Sequence, residues 1–362
     1  SALKKIVHNA SSTGLDVNLL FQQFSKVCST LFGTEKDQKP LLTDDSIKKD
    51  LISMLKMDPS TANLPFLFQS SLRSSGTLLE TSSPYFILPS SYLPNHIKKC
   101  LNNGQIELLP LFFQKHSECI NEKKDNQLFT QDMRTSQEYE LRLNVLEYYL
   151  FWFIQFPIIH TSLTNTISKS EPKKTKSDHN WLKDTFSNLS PHKKTSKKEK
   201  GDKKEDISIK NKHIYIILLE NYLKHFCPYD TRKTIASYQS SNALIDLIIQ
   251  FWLDYGPIDK NVEVKLPSSA CFEGIEAVVS YFVSDNMLTK SDASNTWWND
   301  YALDFQKPFY DFLNTSFDIW SELDSIDVGK KIVDVWTVYI LPWRKHETPK
   351  LSLEDCWVSF IQ

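Results

Sequence analysis

The chain is 362 residues long with 41% hydrophobic residues, enough to bury a sizeable core across about two domains or one extended array. Only eight glycines are present, which argues against Rossmann units, phosphate-cradling loops and TIM barrels, whose tight turns depend on glycine. The formal net charge is only −2, but it is unevenly spread.

Leu19, Leu20, Phe24, Val27 and Leu31 follow a 3.6-residue period after Asp16, which reads as an N-cap. Thr43-Asp44-Asp45 opens a second predicted helix with Ile47, Leu51, Leu55 and Met57. The proline-rich PYFILPSSYLP, Pro84 to Pro94, separates these from the next group. Leu143 to Ile159, LNVLEYYLFWFIQFPII, is the most lipid-like stretch. It holds Glu147, Gln155 and Pro157 and falls short of the roughly 20 apolar residues of a bilayer span, so it reads as a buried core helix.

From Lys169 to Lys212 the chain carries 14 lysines against seven acidic residues, a net of +7, while the remainder carries 28 Lys and Arg against 37 Asp and Glu. Such low hydrophobicity cannot repay the entropy of ordering, so residues 166–212 are expected to be a disordered lysine-rich linker. Within it, Trp181, Leu182, Phe186 and Leu189 could line one short amphipathic helix. The bland reading is a solvated loop; the functional ones are a peptide that meets a partner or anionic lipid, or a nuclear localisation signal.

Beyond the linker, helices are predicted near 213–226, 241–254, 267–284, 296–317 and 324–340, and no run of alternating strands with hairpin turns is evident. A weak recurrence ties these helices to the first half. Glu147 to Leu150 precedes Pro157, Glu220 to Leu223 precedes Pro228, Gln250 to Leu253 precedes Pro257, and Asp334 to Thr337 precedes Pro342. Each places Tyr149, Tyr222, Trp252 or Trp336 near the end of an apolar helix that a proline is expected to close. The predicted fold is all-α: an irregular, armadillo-like α-solenoid of stacked helix pairs. Residues 1–165 form its first helical region and 213–362 a second, continuous with the first. Trp336 is expected in the core and Trp343 at the turn after Pro342. The chain begins Ser-Ala and reads as part of a longer protein.

Signals for chemistry are sparse. H-E-x-x-H, G-x-S-x-G and Walker A patterns do not occur, and Gly329-Lys330-Lys331 lacks the glycine-rich loop of a phosphate site. The six cysteines, Cys28, Cys100, Cys119, Cys227, Cys271 and Cys356, sit singly in apolar stretches, as buried reduced thiols do in a cytosolic or nuclear milieu. His225 and Cys227 are two apart and would not share a helix face. Ser177-Asp178-His179 supplies an Asp-His pair of the kind found in Mg²⁺-dependent phosphodiesterases of DNase-I-like fold, but it lies within the lysine-rich linker. No catalytic, cofactor-binding or metal-ligating residue is assigned.

Several segments in order resemble the sphingomyelin phosphodiesterase 4, or neutral sphingomyelinase 3, family. They are Ser91-Tyr92-Leu93-Pro94, Asn144 to Tyr149, Tyr215 to Leu218 with Tyr222-Leu223, Phe251-Trp252-Leu253, and Val335-Trp336 to Leu341-Pro342-Trp343-Arg344. The resemblance spans about residues 80 to 362 and includes a low-complexity linker. It implies a helical scaffold at the nuclear envelope and endoplasmic reticulum, associated with nuclear pore complexes and held to membrane lipids by a C-terminal anchor beyond the matched residues. The family name implies the alternative, hydrolysis of sphingomyelin to ceramide and phosphocholine, for which Mg²⁺ would be the cofactor. No catalytic residue carries over, and no specific nucleic-acid binding is expected.

The linker reading makes a first prediction. Amides from about Lys169 to Lys212 should exchange with deuterium within seconds, and deleting the stretch should leave thermal stability nearly unchanged, because closure entropy varies slowly with loop length. Strong protection around Trp181 to Leu189 would instead show that this stretch docks.

Overall fold

The computed structural model describes residues 17–34, 39–56, 85–88, 90–119, 139–160, 212–227, 238–253, 266–283, 296–323 and 326–340. Ser1–Leu163 and Ile214–Gln362 make one compact unit, and Thr164–His213 a second, of which only Lys212 and His213 are described. Helices take 79% of the described residues, in ten α-helices, so the fold is dominated by helix as expected. The lysine-rich linker, including Asp178-His179 and Trp181 to Leu189, lies outside the described residues except for Lys212.

The first half contributes α1 (Val17–Phe32), α2 (Lys48–Leu55), α3 (Asn95–Asn102), α4 (Leu111–His116) and α5 (Val145–Ile159). The second contributes α6 (Ile214–Phe226), α7 (Tyr238–Ile248), α8 (Ser269–Phe282), α9 (Thr296–Leu323) and α10 (Ile326–Ile340). The expected Asp44 cap is present one step early: its side chain accepts from the Ser46 amide and opens a 3₁₀ turn, Asp45–Ile47, from which α2 continues. Leu51 and Leu55 are buried as the period requires, while Met57 lies outside the described residues.

α5 occupies the centre. Every residue from Val145 to Pro157 is buried, so all sides of the helix need cover. Phe86 stacks on Tyr148 with ring centroids 4.2 Å apart, Tyr92 meets Trp152 edge-on at 4.9 Å, and Phe32 lies against Tyr149 at 5.4 Å. From the second half, Tyr215 stacks on Phe153 at 4.5 Å, and Phe251 meets Phe151 at 5.5 Å. The Trp252 indole donates to the Ile154 carbonyl at 2.9 Å, and the hydroxyls of Tyr149 and Tyr222 are 2.7 Å apart. Of the four recurrent rings, Tyr149 lies on this helix and Tyr222 and Trp252 converge on it. Among the described residues no helix is long and apolar enough to cross a membrane.

The structure corrects the sequence reading in three places. A small antiparallel sheet is present, made of β1 (Phe86–Ile87), β2 (Ser117–Cys119) and β3 (Tyr139–Leu143) in the order β1-β3-β2. Its strands are two to five residues long and pair across long separations, Phe86 with Leu143 and Ser117 with Leu141. Runs that short carry almost no periodic signal. Second, Pro157 does not end α5 before itself; it sits in the last turn, and the helix runs on to Ile159 with the His160 amide bonded to the Phe156 carbonyl at 3.0 Å. Pro228, Pro257 and Pro342 lie outside the described residues.

Third, Trp336 is not a core residue: it is 42% exposed. The face of α10 that enters the core is Ile332, Val335 and Val338, and Trp336 lies one residue, about 100°, beyond Val335. The finer expectation, a solenoid of stacked helix pairs, is not shown. α5 packs with α1, α7, α8 and β3, and α8 with α6 and α10, whereas units of a solenoid contact only their neighbours.

Gly329-Lys330-Lys331 lies inside α10 and has a packing role. A Cβ on Gly329 would come within 2.1 Å of the Trp320 ring, so glycine is what lets α9 and α10 close at this point. Lys331 pairs with Glu273 on α8 at 3.1 Å. Overpacking typically costs about 1–3 kcal/mol, partly offset by alanine's better helix propensity of about 1 kcal/mol. Gly329→Ala should therefore lower the urea midpoint, and combining it with Trp320→Leu should recover part of the loss. A midpoint raised by Gly329→Ala alone would refute the close-approach account.

Candidate functional site

A cluster of described polar groups lies where the sheet meets the start of α5. Asn144 caps α5 in a reciprocal box: its side chain accepts from the Glu147 amide at 2.9 Å, and the Glu147 carboxylate accepts from the Asn144 amide at 3.0 Å. The other Glu147 oxygen faces His116 Nε2 at 3.3 Å, with both side chains largely buried. His116 ends α4, which passes directly into β2, and its Nδ1 lies 3.1 Å from the Arg142 carbonyl on β3. Both ring nitrogens therefore face acceptor oxygens.

On the outer face of the sheet the Arg142 guanidinium pairs with Glu140 and Glu118 and lies 4.2 Å over the Tyr85 ring. Residue alternation explains the two faces. Leu141 and Leu143 point into the core, and Glu140 and Arg142 point away from it. Chemically the cluster is a polar lock. The Glu147 carboxylate is held by a cap amide and an imidazole, and Arg142 by two carboxylates, so the geometry fixes strand β3 and helix α4 to the start of α5. Among the described residues no group of three or more His, Cys, Asp or Glu is placed to hold a metal ion.

The other candidates fall into different settings. His225 and Cys227 are both buried at the end of α6, and burial pushes the Cys227 thiol well up, as it does those of Cys28 and Cys271. A thiol so placed is held protonated and is a poor nucleophile. The second feature missed in the sequence is Asp246, half-buried on α7 and pushed up to about 6 by burial and by the charge of Asp304 on α9. A lone acid within the apolar run ALIDLIIQFWL was its signal. The His116–Glu147 contact had only a partial one, the N-x-x-E spacing of the capping box, since its partners lie on elements far apart in sequence.

These features define a predominantly helical protein with a small antiparallel sheet locked onto a central aromatic helix. No family model matches the chain, and comparison with curated proteins and with solved structures finds no match.

Asp246 gives a pH prediction with a definite sign. Its folded-state value lies above the ordinary 3.8, so the folded protein binds the proton more tightly than the unfolded chain. Below about pH 4 both states are protonated and no penalty exists. The penalty grows as pH rises through about 6 and is then complete, of order 3 kcal/mol for a two-unit shift. Asp246→Asn should therefore stabilise the protein at pH 7 and flatten the fall in stability between about pH 4 and 6. Urea midpoints across this range test it; an unchanged slope would place the titration elsewhere.

Proposed function

We propose that this chain is the helical scaffold region of a membrane-associated protein of the nuclear envelope and endoplasmic reticulum, related to the sphingomyelin phosphodiesterase 4 family, which binds partners at nuclear pores or shapes membrane. The observation that carries this reading is where the family-like residues lie. Tyr149, Tyr215, Tyr222, Trp252 and Val335 are all buried in the core. A resemblance carried by core side chains is one of packing, and it supports a shared architecture rather than a shared reaction. On this reading α8, α9 and α10, with α10 packed on both of the others, belong to an irregular stack of helix pairs.

Phosphodiester cleavage needs an activated nucleophile, stabilisation of charge on the phosphoryl oxygens and help for the leaving group. The polar lock around Glu147 has its groups committed to one another, and no described residue is assigned any of these roles. The purified chain should therefore release no ceramide from sphingomyelin vesicles above background, with or without Mg²⁺. Turnover that survives the Asp178→Ala/His179→Ala double substitution would establish an enzyme with its site elsewhere and overturn the scaffold reading. Proximity labelling from the native protein in cells should mark nuclear-envelope and nuclear-pore proteins. Labelling confined to another compartment would overturn the location.

A further inference from the structure

We propose that Asp246, Gln250 and Asp304 form a site for a hard divalent cation, Ca²⁺, that ties α7 to α9 through oxygen ligands. Asp246 is the one residue from Ala243 to Gln250 that is not buried. Gln250 lies four residues on, in the π-helical turn Ile249–Leu253 that continues α7, so the two side chains share a face. That turn packs on α9, the helix that carries Asp304. The neighbouring helix α8 fixes the level. Phe282 meets Phe305 and Phe272 meets Phe312, so α8 and α9 run antiparallel, and Gly274 of α8 lies against Trp252. Trp252 is therefore level with Tyr310 of α9, Gln250 with Pro308 and Asp246 with Asp304.

The chemistry of the spot is one of acceptors without donors. Gln250 is only 9% exposed, and its Oε1 has no hydrogen-bond partner. A buried acceptor left bare costs free energy, and a ligand that supplies positive charge removes that cost. Burial and the charge of Asp304 push the Asp246 carboxyl up to about 6. Among the described residues neither carboxylate has an ion-pair partner; Lys307, three residues beyond Asp304, is exposed and does not pair with it. Pro308 adds a further oxygen. Inside α9 it offers no N–H, so the Asp304 carbonyl four residues earlier lacks its usual helical donor. Two carboxylates, an amide oxygen and a main-chain carbonyl are hard ligands of the kind Ca²⁺ takes, with waters completing its shell. Ca²⁺ tolerates an irregular set drawn from two helices, whereas Mg²⁺ demands a near-ideal octahedron. With only two carboxylates the dissociation constant should be about 10⁻⁴–10⁻³ M. A π turn beside such a site fits the frequent placement of these turns where helices bind ligands.

The test uses the full chain, stripped with EDTA, at pH 7. Calorimetric titration with Ca²⁺ should show one saturable site, and about 10 mM Ca²⁺ should raise the urea midpoint. Asp246→Asn, Asp304→Asn and Gln250→Leu should each weaken Ca²⁺ binding about tenfold or more. Misfolding does not obscure the result: Asp246→Asn and Gln250→Leu remove buried polar groups that lack partners, so in EDTA both should be at least as stable as the unsubstituted chain. Asp327→Asn, at an exposed acid on α10, should bind Ca²⁺ unchanged. Mg²⁺ at the same concentration should shift the midpoint less. Absence of saturable binding, or binding that Asp246→Asn retains in full, would overturn the proposal. An equal response to Mg²⁺ that survives Gln250→Leu would show diffuse screening of the two carboxylates and overturn it as well.

Discussion

The structure depends on one constraint: α5 is apolar around its whole circumference, so nothing about it is stable until it is enclosed. A helix with one polar side could rest on a surface, but this one needs cover from several directions. That requirement explains why elements from both halves of the chain meet there. α1 supplies Phe32, β1 supplies Phe86, α6 supplies Tyr215 and Tyr222, and the π-helical turn Ile249–Leu253 that follows α7 supplies Phe251 and Trp252. Enclosure also removes water from polar groups, which must then be partnered. The Pro157 carbonyl, in the last turn where helical donors run out, accepts from the Ser268 hydroxyl that caps α8. The Tyr222 hydroxyl reaches the Leu55 carbonyl at 3.2 Å as well as Tyr149. Even the shape of α8 answers to α5: Gly274 leaves room for the Trp252 ring, which a Cβ there would meet at 2.9 Å.

The same constraint separates what was legible in the sequence from what was not. A helix wholly inside the core announces itself as an unbroken apolar run, and amphipathic helices announce themselves by period, so α1, α5, α6, α8 and α10 were readable from spacing alone. The sheet was not, because the partners of Leu141 and Leu143 lie at Ser117 and Phe86, and pairing across such separations leaves no local trace. Trp336 shows the limit of composition. An indole on an apolar helix is read as core, but whether it is buried is decided by an angle of about 100° around α10, which depends on the position of α8 and α9. His116 and Glu147 illustrate the same limit for chemistry, since a contact between the end of one helix and the start of another is a product of tertiary structure.

The polar lock and the aromatic core are two parts of one solution. Burying α5 fixes its axis, but apolar contacts are non-directional and leave its rotation and register less sharply defined. The capping box sets where the helix begins, and Glu147 ties that first turn to α4 through His116. Arg142 then holds the outer face of β3 to β2 through Glu118. Hydrogen bonds to charged groups contribute roughly 1.5–3 kcal/mol when buried, so such a network contributes to specificity as well as stability.

The position of the lysine-rich insert follows from this arrangement. The chain leaves the main unit after α5 and re-enters it at α6, and those two helices are already joined. Tyr215, one residue into α6, packs against Phe156 at 5.2 Å near the end of α5. The two ends of the insertion are therefore held close by core contacts that do not require the insert itself. Closing a loop between fixed neighbouring ends costs only about 0.6 kcal/mol more for each doubling of its length. Loop closure between these two ends therefore sets only a weak limit on the length of chain carried there.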